Sequence, residues 1–459
     1  MVQTRREFLA AAGGVSLGFM GIARLLERTA SGAVMIPAST PYGPLVPDPA
    51  GVLDLPKGFE YRIISRIGEE MADGLRVPGK ADGMAAFPGP GGKTLVVCNH
   101  EVSDGDITNG PFGADMSMIE KARGRMYDPG TNGIPSLGGT STIVFDTKTQ
   151  TLEKQYMSIA GTTRNCAGGP TPWNSWLTCE ENVTRKGEQG RAKDHGWVFE
   201  VPATDEVGLA DPTPIAGMGR FNHEAIAIDP RSGIVYLTED RGDGLLYRFI
   251  PNVRGKMHEG GVLQALVIKG SPSADTRNWR GTSIGVGDSM EVEWIDMEHI
   301  DAPEDDLRRR GFDAGAAKFA RGEGICWGQD GVYIVCTNGG RARKGQVWKL
   351  EPSVDDATEE PTGNDRLSLF VEPNDGDVVD MPDNVGVAPS GDLYLCEDGS
   401  GEQFVVGVSP EGELFKFARN AKNNSEFAGV CFSPDGTTMF VNIQHAGLTL
   451  AITGPWRSA

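Results

Sequence analysis

A short unit that recurs along the sequence constrains the fold of this chain more than any other feature. Each copy consists of a strand-like run, a turn rich in proline and glycine, and a second strand-like run that ends in acidic or amide residues. The six copies lie at residues 82–101, 165–182, 222–240, 322–338, 382–398 and 427–444. Such a repeat is typical of a β-propeller, so the sequence predicts an all-β, six-bladed β-propeller with loop and short helical insertions.

The turns inside the copies favour tight hairpins. Proline presets φ and glycine permits positive φ in the turns at residues 229–233, 388–391 and 433–436. Further strand-like runs at 345–350 and 413–417 can complete four-stranded blades. A β-sandwich built from the same hairpins is the alternative fold, although sandwiches seldom contain so many copies of one unit.

The rest of the chain indicates one domain with insertions. Residues 108–136 have the composition of a long loop, and residues 300–320 have charged, helical character. No linker divides the chain after the N-terminal segment. We therefore expect residues 34–459 to form a single β-propeller domain.

The N-terminal segment predicts export. Residues 4–9 (TRREFL) precede an apolar run at 10–23, Arg24 interrupts that run, and small residues at 31–33 offer a cleavage site. This pattern is that of a twin-arginine export signal at residues 1–33. We expect the twin-arginine machinery to export the protein in its folded state to the periplasm or the extracellular space. No later segment predicts a membrane span.

The charge balance argues against a nucleic-acid or anionic-membrane partner. The chain has 63 acidic and 43 basic residues and a formal net charge of -20. This charge repels polyanions and favours cations. The same charge is equally compatible with an acidic surface that serves only solubility. The positions of the acidic residues must therefore decide between cation binding and solubility.

Ligand-type residues begin and end the copies. A hairpin returns both ends of each unit to one edge of a blade, so we expect these side chains to meet near the propeller axis. The candidate metal ligands are Glu101, Cys166, Glu181, Glu224, Asp240, Glu323, Asp383, Asn384 and Glu397. Clustered carboxylates in a low dielectric stay ionised only when cations neutralise them. Oxygen ligands suit Ca²⁺, whereas a thiolate among carboxylates suits iron or zinc.

Each of these residues also has a purely structural interpretation. A single acid at a strand end is most often a turn residue, and Cys166 can be a buried structural thiol. His100 and His223, both in Asn-His-Glu sequences, can bind metal or hydrogen-bond a loop. Arg321 is the candidate catalytic and substrate-binding residue because guanidinium matches the geometry of phosphate, and its alternative role is an ion pair with a nearby acid.

Several longer motifs resemble one known family. They are NCAGGPTPWNSWLTCEEN at 165–182, GRFNHEA at 219–225, YLTED at 236–240, RGEG at 321–324, PDN at 382–384, CED at 396–398, FVNIQ at 440–444 and ITGPW at 452–456. In these residues the chain resembles the PhoX-type alkaline phosphatases. The resemblance covers nearly all of the sequence after the export signal.

The resemblance implies a secreted, propeller-fold phosphomonoesterase that contains Fe³⁺ and Ca²⁺. By this resemblance Cys166 ligates iron, and Arg321 contacts the phosphate. The remaining ligands implied by the motifs, to iron or calcium, are Glu181, Glu224, Glu323 and Glu397. The expected substrates are small phosphoesters, hydrolysed at the metals without a serine or threonine nucleophile.

Two other functions fit the same repeats. A calcium-dependent lactonase on a six-bladed propeller needs only calcium and a base such as His223, and it needs no thiolate. A non-catalytic binding propeller uses calcium for rigidity alone. Stoichiometric iron favours the phosphatase, and calcium alone favours the lactonase. For the non-catalytic propeller, replacing Glu224 or Glu323 by Gln would leave every hydrolytic assay unchanged.

Overall fold

The computed structural model describes residues 41–354 and 361–457, so the predicted export signal at 1–33 lies outside the described residues. Before and within the first two repeats the strands are β1 (Leu45–Val46), β2 (Leu53–Pro56), β3 (Glu60–Arg66), β4 (Ala81–Pro88), β5 (Thr94–His100), β6 (Gly138–Asp146), β7 (Thr151–Thr162), β8 (Asn165–Pro170), β9 (Ser175–Glu180) and β10 (Val198–Pro202). The third repeat and the insertion after it contain β11 (His223–Ile228), β12 (Val235–Glu239), β13 (Gly244–Pro251), β14 (Gly261–Ile268), β15 (Ser289–Asp296), helix α1 (Leu307–Asp313) and β16 (Lys318–Phe319).

The last three repeats follow the same order. Their strands are β17 (Gly322–Trp327), β18 (Val332–Cys336), β19 (Gln346–Glu351), β20 (Arg366–Val371), β21 (Pro382–Val387), β22 (Leu393–Glu397), β23 (Phe404–Val408), β24 (Leu414–Asn420), β25 (Phe427–Phe432), β26 (Thr438–Ile443) and β27 (Leu448–Thr453). Short 3₁₀ turns lie at Pro90–Gly92, Ile107–Asn109, Ile119–Lys121, Ala216–Met218 and Met257–Glu259.

The first strand of each repeat packs beside the first strand of the next. These inner strands, β4, β8, β11, β17, β21 and β25, form a closed ring in which β25 returns to β4. Within each repeat the chain continues outward through antiparallel strands. Strand β3 pairs with β27, so a segment from the beginning of the described chain completes the last blade. The prediction of an all-β propeller is confirmed.

The six repeats form five hydrogen-bonded sheets instead of six separate ones. Strand β15 pairs with β14 through Val292–Asp296 and with β20 through Ser289–Glu291. It therefore joins the third and fourth blades into one ten-stranded sheet. The insertion that supplies β15 has no repeat equivalent, so the repeat pattern alone predicts separate blades.

Hydrophobic side chains fill the space between neighbouring blades. Tyr236 of the third blade and Trp348 of the fourth are fully buried in one cluster, and Tyr394 is fully buried between the fifth and sixth. Burying one such side chain stabilises the fold by about 1.5–3 kcal/mol. Interdigitation between blades thus holds the ring, while the inner strands are left to line its centre.

The two predicted insertions contain little regular secondary structure. Residues 108–136 form loops and short turns, and the second insertion contains helix α1. Arg308 of α1 donates to Asp243 and to Asp305, and it lies 3.5 Å from the buried Glu239 carboxylate. Among the described residues, no helix has the length and apolarity that a membrane span requires.

Every inner strand carries a register irregularity near its start. The irregularities lie at 81–84, 165–168, 223–226, 322–325, 382–385 and 428–431. A β-bulge locally re-aims side chains and ends regular pairing. Its recurrence at the same level in all six blades creates a ring of re-aimed residues at one end of the inner strands.

Small residues let the inner strands approach each other closely at this level. A Cβ added to Gly324 would lie 2.6 Å from the backbone oxygen of Asp383, and one added to Gly83 would lie 2.6 Å from Cα of Ala167. Gly429, at φ +69°, would place a Cβ 2.2 Å from the backbone oxygen of Asp82. These positions leave no room for a larger side chain without movement of the neighbouring backbone.

We expect Gly324→Ala to lower the free energy of unfolding by about 1–3 kcal/mol, because the added methyl group forces two inner strands apart. Urea unfolding followed by tryptophan fluorescence measures the change. Gly208→Ala is the matched control, since the nearest atoms to its added Cβ belong to Arg125 at 3.8 Å. Equal effects of the two substitutions would contradict the close approach of the inner strands.

Candidate metal centre

The ring of bulges carries ligand-type side chains in five of the six blades. These residues are Asp82, Cys166, Glu224, Glu323 and Asp383, all within the irregular segments of the inner strands. Four of them have buried side chains, and Asp383 is half-buried. In the sixth blade the irregular segment contains Gly429, and the nearest acid is Glu426, directly before β25. The bulge therefore explains why these five side chains face one another.

A second set of polar residues forms a rim above the bulges. In every blade the backbone N–H of the rim residue after the second strand donates to the carbonyl directly before the inner strand, over 2.9–3.3 Å. The six rim residues fixed in this way are Glu101, Glu181, Asp240, Thr337, Asp398 and Gln444. The residues that accept these bonds are Lys80, Arg164, Asn222, Arg321, Met381 and Glu426. One backbone hydrogen bond per blade thus fixes two side chains at the rim.

Bulge and rim residues together form three groups of possible metal ligands. In each group, one ligand atom from every residue lies within 4.8 Å of the others. The groups are Cys166 with Glu181 and Glu224, Glu224 with Glu323 and Asp383, and Asp383 with Asp398 and Glu426. Since Glu224 and Asp383 each belong to two groups, seven side chains form one continuous chain of ligands.

Burial and mutual repulsion raise the pKa values throughout this chain. Burial raises the pKa of Glu224 well above its usual range, and the charges of Glu323 and Asp383 raise it further. For the same reasons the pKa of Glu181 rises to about 7 and that of Glu426 to about 10. Without a cation, these carboxyl groups can be buried together only if several of them are protonated.

The donor set fits bound cations. Oδ1 of the buried Asp82 has no hydrogen-bond partner among the described residues, although its Oδ2 accepts a bond from Gln444. A buried carboxylate oxygen without a partner costs free energy unless a cation satisfies it. Cys166 adds a sulfur whose thiol pKa is raised well above its usual range by burial and by the charge of Glu224. Nearby cations would reverse that shift and favour the thiolate.

Two arginines lie at the rim in equivalent positions. Arg164 and Arg321 directly precede inner strands and have φ values of 47° and 49°. Arg321 donates from Nε and Nη2 to both oxygens of Asp240 at 2.8 Å and from Nη2 to Glu323 at 2.5 Å. Arg164 donates to Glu101 at 2.7 Å and also to Glu181. The ion pair considered as an alternative role for Arg321 is therefore present.

The structure brings together most of the predicted ligands. Cys166, Glu181, Glu224, Glu323 and Asp383 all belong to the three groups. The other four predicted ligands, Glu101, Asp240, Asn384 and Glu397, lie outside the three groups.

Three predicted ligands lie beside the groups without belonging to them. Glu101 pairs with Arg164, and Asp240 pairs with Arg321. Asn384 donates from Nδ2 to Oδ1 of Asp383 at 3.1 Å, while its own Oδ1 accepts from the backbone of Gly429. These residues orient the centre from its edges.

Glu397 does not lie with the other predicted ligands. Its two oxygens accept backbone hydrogen bonds from Asp380 and Phe404, both at 2.9 Å. Because successive residues of a strand face opposite sides, Glu397 points into its own blade and the next residue, Asp398, points to the centre. Asp398, and not the predicted Glu397, therefore lies with the grouped side chains.

The sequence interpretation missed Glu426 and Arg164. Each directly precedes an inner strand, and each lies one residue before its copy of the repeat, because the second and sixth copies begin at residues 165 and 427. Comparing the residue before each inner strand across the blades, where Arg321 was already a candidate, would have found both. Their position directly before an inner strand identifies them, whereas their residue types alone do not.

The two candidate histidines have structural partners. His100 bonds the backbone oxygen of Gly79 and the hydroxyl of Ser141, and burial lowers its pKa to about 4. His223 bonds the backbone oxygen of Gly219 and stacks on Phe221 at 3.6 Å, and burial lowers its pKa to about 3. Both are therefore neutral side chains that hold loops.

The chain is similar to known proteins in both sequence and fold. The sequence model of the family described as alkaline phosphatase PhoX matches residues 40–447. Pseudomonas fluorescens PhoX, solved in complex with vanadate, a transition state analogue, aligns with a TM-score of 0.64 and 18% identity, over 92% of this chain and 97% of that chain. At that identity the likeness shows the fold.

A gluconolactonase from Xanthomonas campestris aligns with a TM-score of 0.42 and 11% identity, over 91% of this chain and 99% of that chain. This similarity is too low to bear on function. No curated protein sequence gives a significant match.

We expect the chelated protein to lose stability as pH rises. Glu181 and Glu426 have folded-state pKa values of about 7 and about 10, above their ordinary value of 4.5. A raised folded-state pKa means that the folded protein binds more protons, so this stabilisation is present below about pH 4.5 and is lost as pH rises through about 7 and about 10. Thermal melting in a chelator between these pH values measures the slope.

Adding Ca²⁺ and iron should flatten this dependence, because cations replace protons as counter-charges. Glu426→Gln in chelator should also make the loss shallower near the alkaline end. A melting temperature that rises with pH in the chelated protein would refute the account of the buried acids.

Proposed function

The chain belongs to the PhoX alkaline phosphatase family and is a phosphoric monoester hydrolase, and on that premise we propose that it is an exported enzyme with an iron and calcium cluster on the propeller axis. The observation that carries the proposal is the continuous chain of seven ligand side chains, in which one thiol lies among carboxylates. Its substrates are phosphomonoesters, which this acidic centre can bind only when cations reverse the local charge.

The donor types suggest where each metal binds. Cys166, Glu181 and Glu224 supply sulfur and oxygen, a set suited to iron. Asp383, Asp398 and Glu426 supply only oxygen, a set suited to Ca²⁺. Bound cations supply Lewis acidity for the phosphoryl oxygens and activate water. Glu323 joins the two sets through the group it shares with Glu224 and Asp383.

Arg321 is the residue that we propose contacts the phosphate. Asp240 holds its Nε and Nη2 in a two-pronged pair, and no described residue accepts a bond from its Nη1. Its side chain is 30% exposed, so this remaining edge can reach a ligand at the rim. A guanidinium fixed in this way can donate to the equatorial phosphoryl oxygens as negative charge develops on them.

The remaining edge residues keep the arginines and ligands in position. Glu101 accepts from Arg164 and, through its other oxygen, from Gln444 at 3.2 Å. Asn384 holds one oxygen of Asp383. We therefore assign Glu101, Asp240 and Asn384 to orientation of the centre, and the ligand role to the seven grouped side chains.

We expect metal-loaded protein to release phosphate from p-nitrophenyl phosphate at neutral to alkaline pH and to contain stoichiometric iron. Arg321→Lys keeps the charge but loses the planar fork, so kcat/KM should fall about 100-fold or more. Arg309→Lys is the control, because Arg309 lies on α1 and donates only to the backbone oxygens of Glu304 and Asp305. Calcium without iron in an active preparation, or no phosphate release, would refute the assignment.

Export depends on the twin arginines at positions 5 and 6. Replacing both by lysine should leave the protein in the cytoplasm, because this export route recognises the arginine pair. Cell fractionation and immunoblotting measure the distribution. Unchanged export of the double variant would contradict the proposed route.

A further inference from the structure

A cleft opens at the rim between the second and third blades. It has a volume of about 370 Å³, and its wall includes Arg164 and Glu181. This volume lies within the range of about 300–1,000 Å³ that small-molecule sites occupy. Because Glu181 is also a member of the group with Cys166 and Glu224, the cleft directly adjoins the metal centre.

The lining of the cleft is polar and its charges balance. Two arginines, Arg164 and Arg241, and two carboxylates, Glu181 and Glu188, line the cleft together. The loop after β9 adds the amide of Asn182 and the hydroxyl of Thr184, and Val183 is the single apolar side chain in this lining. Such a surface offers hydrogen-bond donors and acceptors but no aromatic ring and no excess of one charge.

The wall formed by residues 182–196 is held from behind by buried ion pairs. His195 bonds Glu180 at 2.7 Å and Asp128 at 3.0 Å, and all three side chains are fully buried. Its backbone N–H donates to the oxygen of Thr184 at 2.9 Å, and Asn182 Oδ1 accepts from the N–H of Thr184 at 2.7 Å. The wall is therefore fixed before a ligand binds, which lowers the entropic cost of binding.

The opposite wall carries a loosely held arginine. Arg241 donates from Nη1 to the backbone oxygen of Asp240 at 3.3 Å, and its Nη2 lies 3.8 Å from Asp305. Its side chain is 31% exposed. Arg241 also accepts, through its backbone oxygen, the N–H of Arg321 at 3.0 Å, so it is connected to the proposed phosphate-binding residue.

We propose that this cleft binds the leaving group and selects uncharged, hydroxyl-rich alcohols, so that esters such as hexose phosphates are preferred substrates. This inference rests on the proposed function, since the phosphate has to sit at the adjoining centre. Because the charges of the lining balance, the cleft does not favour a strongly anionic leaving group. Because the lining is polar, an aryl leaving group would gain little apolar contact there. Hydroxyl groups can both donate to the carboxylates and accept from the arginines.

The test compares two primary alkyl phosphates, of which only one has a leaving group large enough to fill the cleft. Glucose 6-phosphate carries a hydroxyl-rich leaving group, whereas the leaving group of methyl phosphate is too small to reach the wall. We expect a higher kcat/KM for glucose 6-phosphate in the metal-loaded wild-type enzyme. Arg241→Gln and Glu188→Gln should each lower the ratio of the two kcat/KM values about tenfold, mainly through KM.

Thr184→Val keeps the side-chain shape but removes the hydroxyl, and it serves as a third variant in the same comparison. Arg309→Lys is the control and should leave the ratio of the two kcat/KM values unchanged. Thermal melting checks that each variant is folded. Equal kcat/KM values for the two substrates, or variants that lower both in proportion, would overturn the inference and leave the phosphatase assignment standing. Failure of the wild-type enzyme to hydrolyse either substrate would overturn both.

Discussion

Repulsion among buried carboxylates at one end of the ring is the interaction on which the rest of the structure depends. Glu224, Glu323 and Asp383 lie within 4.8 Å of one another at their ligand atoms, and the first two are buried while Asp383 is half-buried. A chain with a net charge of -20 gains nothing from concentrating acids there unless cations bind. The fold therefore holds an arrangement that is unfavourable by itself and becomes favourable with metal.

Two repeated backbone devices maintain that arrangement. The bulge at the start of each inner strand directs one side chain towards its neighbours. The backbone hydrogen bond between the rim residue and the residue directly before the inner strand fixes the rim residue above the bulge. Both devices belong to the backbone, so they operate whatever side chain a blade carries. This is how the same scaffold can place a thiol in one blade, carboxylates in four and a glycine in the sixth.

The repeat in the sequence predicted most of this architecture, because hairpin turns and strand patterning are local. It also predicted five of the seven grouped side chains, since Cys166, Glu181, Glu224, Glu323 and Asp383 stand at fixed points of the unit. Glu397 was misplaced because adjacent residues at a strand end face opposite sides, and the register that decides between them depends on a bulge.

The remaining differences depend on tertiary contacts. Glu426 and Arg164 lie just outside the repeat unit, and only the ring brings them to the rim. Strand β15 comes from an insertion and finds partners in two blades, which no repeat pattern describes. Local periodicity thus specifies the blades, whereas their junctions and the completion of the centre depend on the closed ring.

Anomalous X-ray diffraction from crystals of the iron- and calcium-loaded protein would locate the cations relative to the grouped side chains. We predict an iron peak bounded by Sγ of Cys166 and carboxylates of Glu181 and Glu224, with further cation density beside Asp383. Anomalous peaks confined to the outer loops, with these four side chains free of any ion, would contradict it.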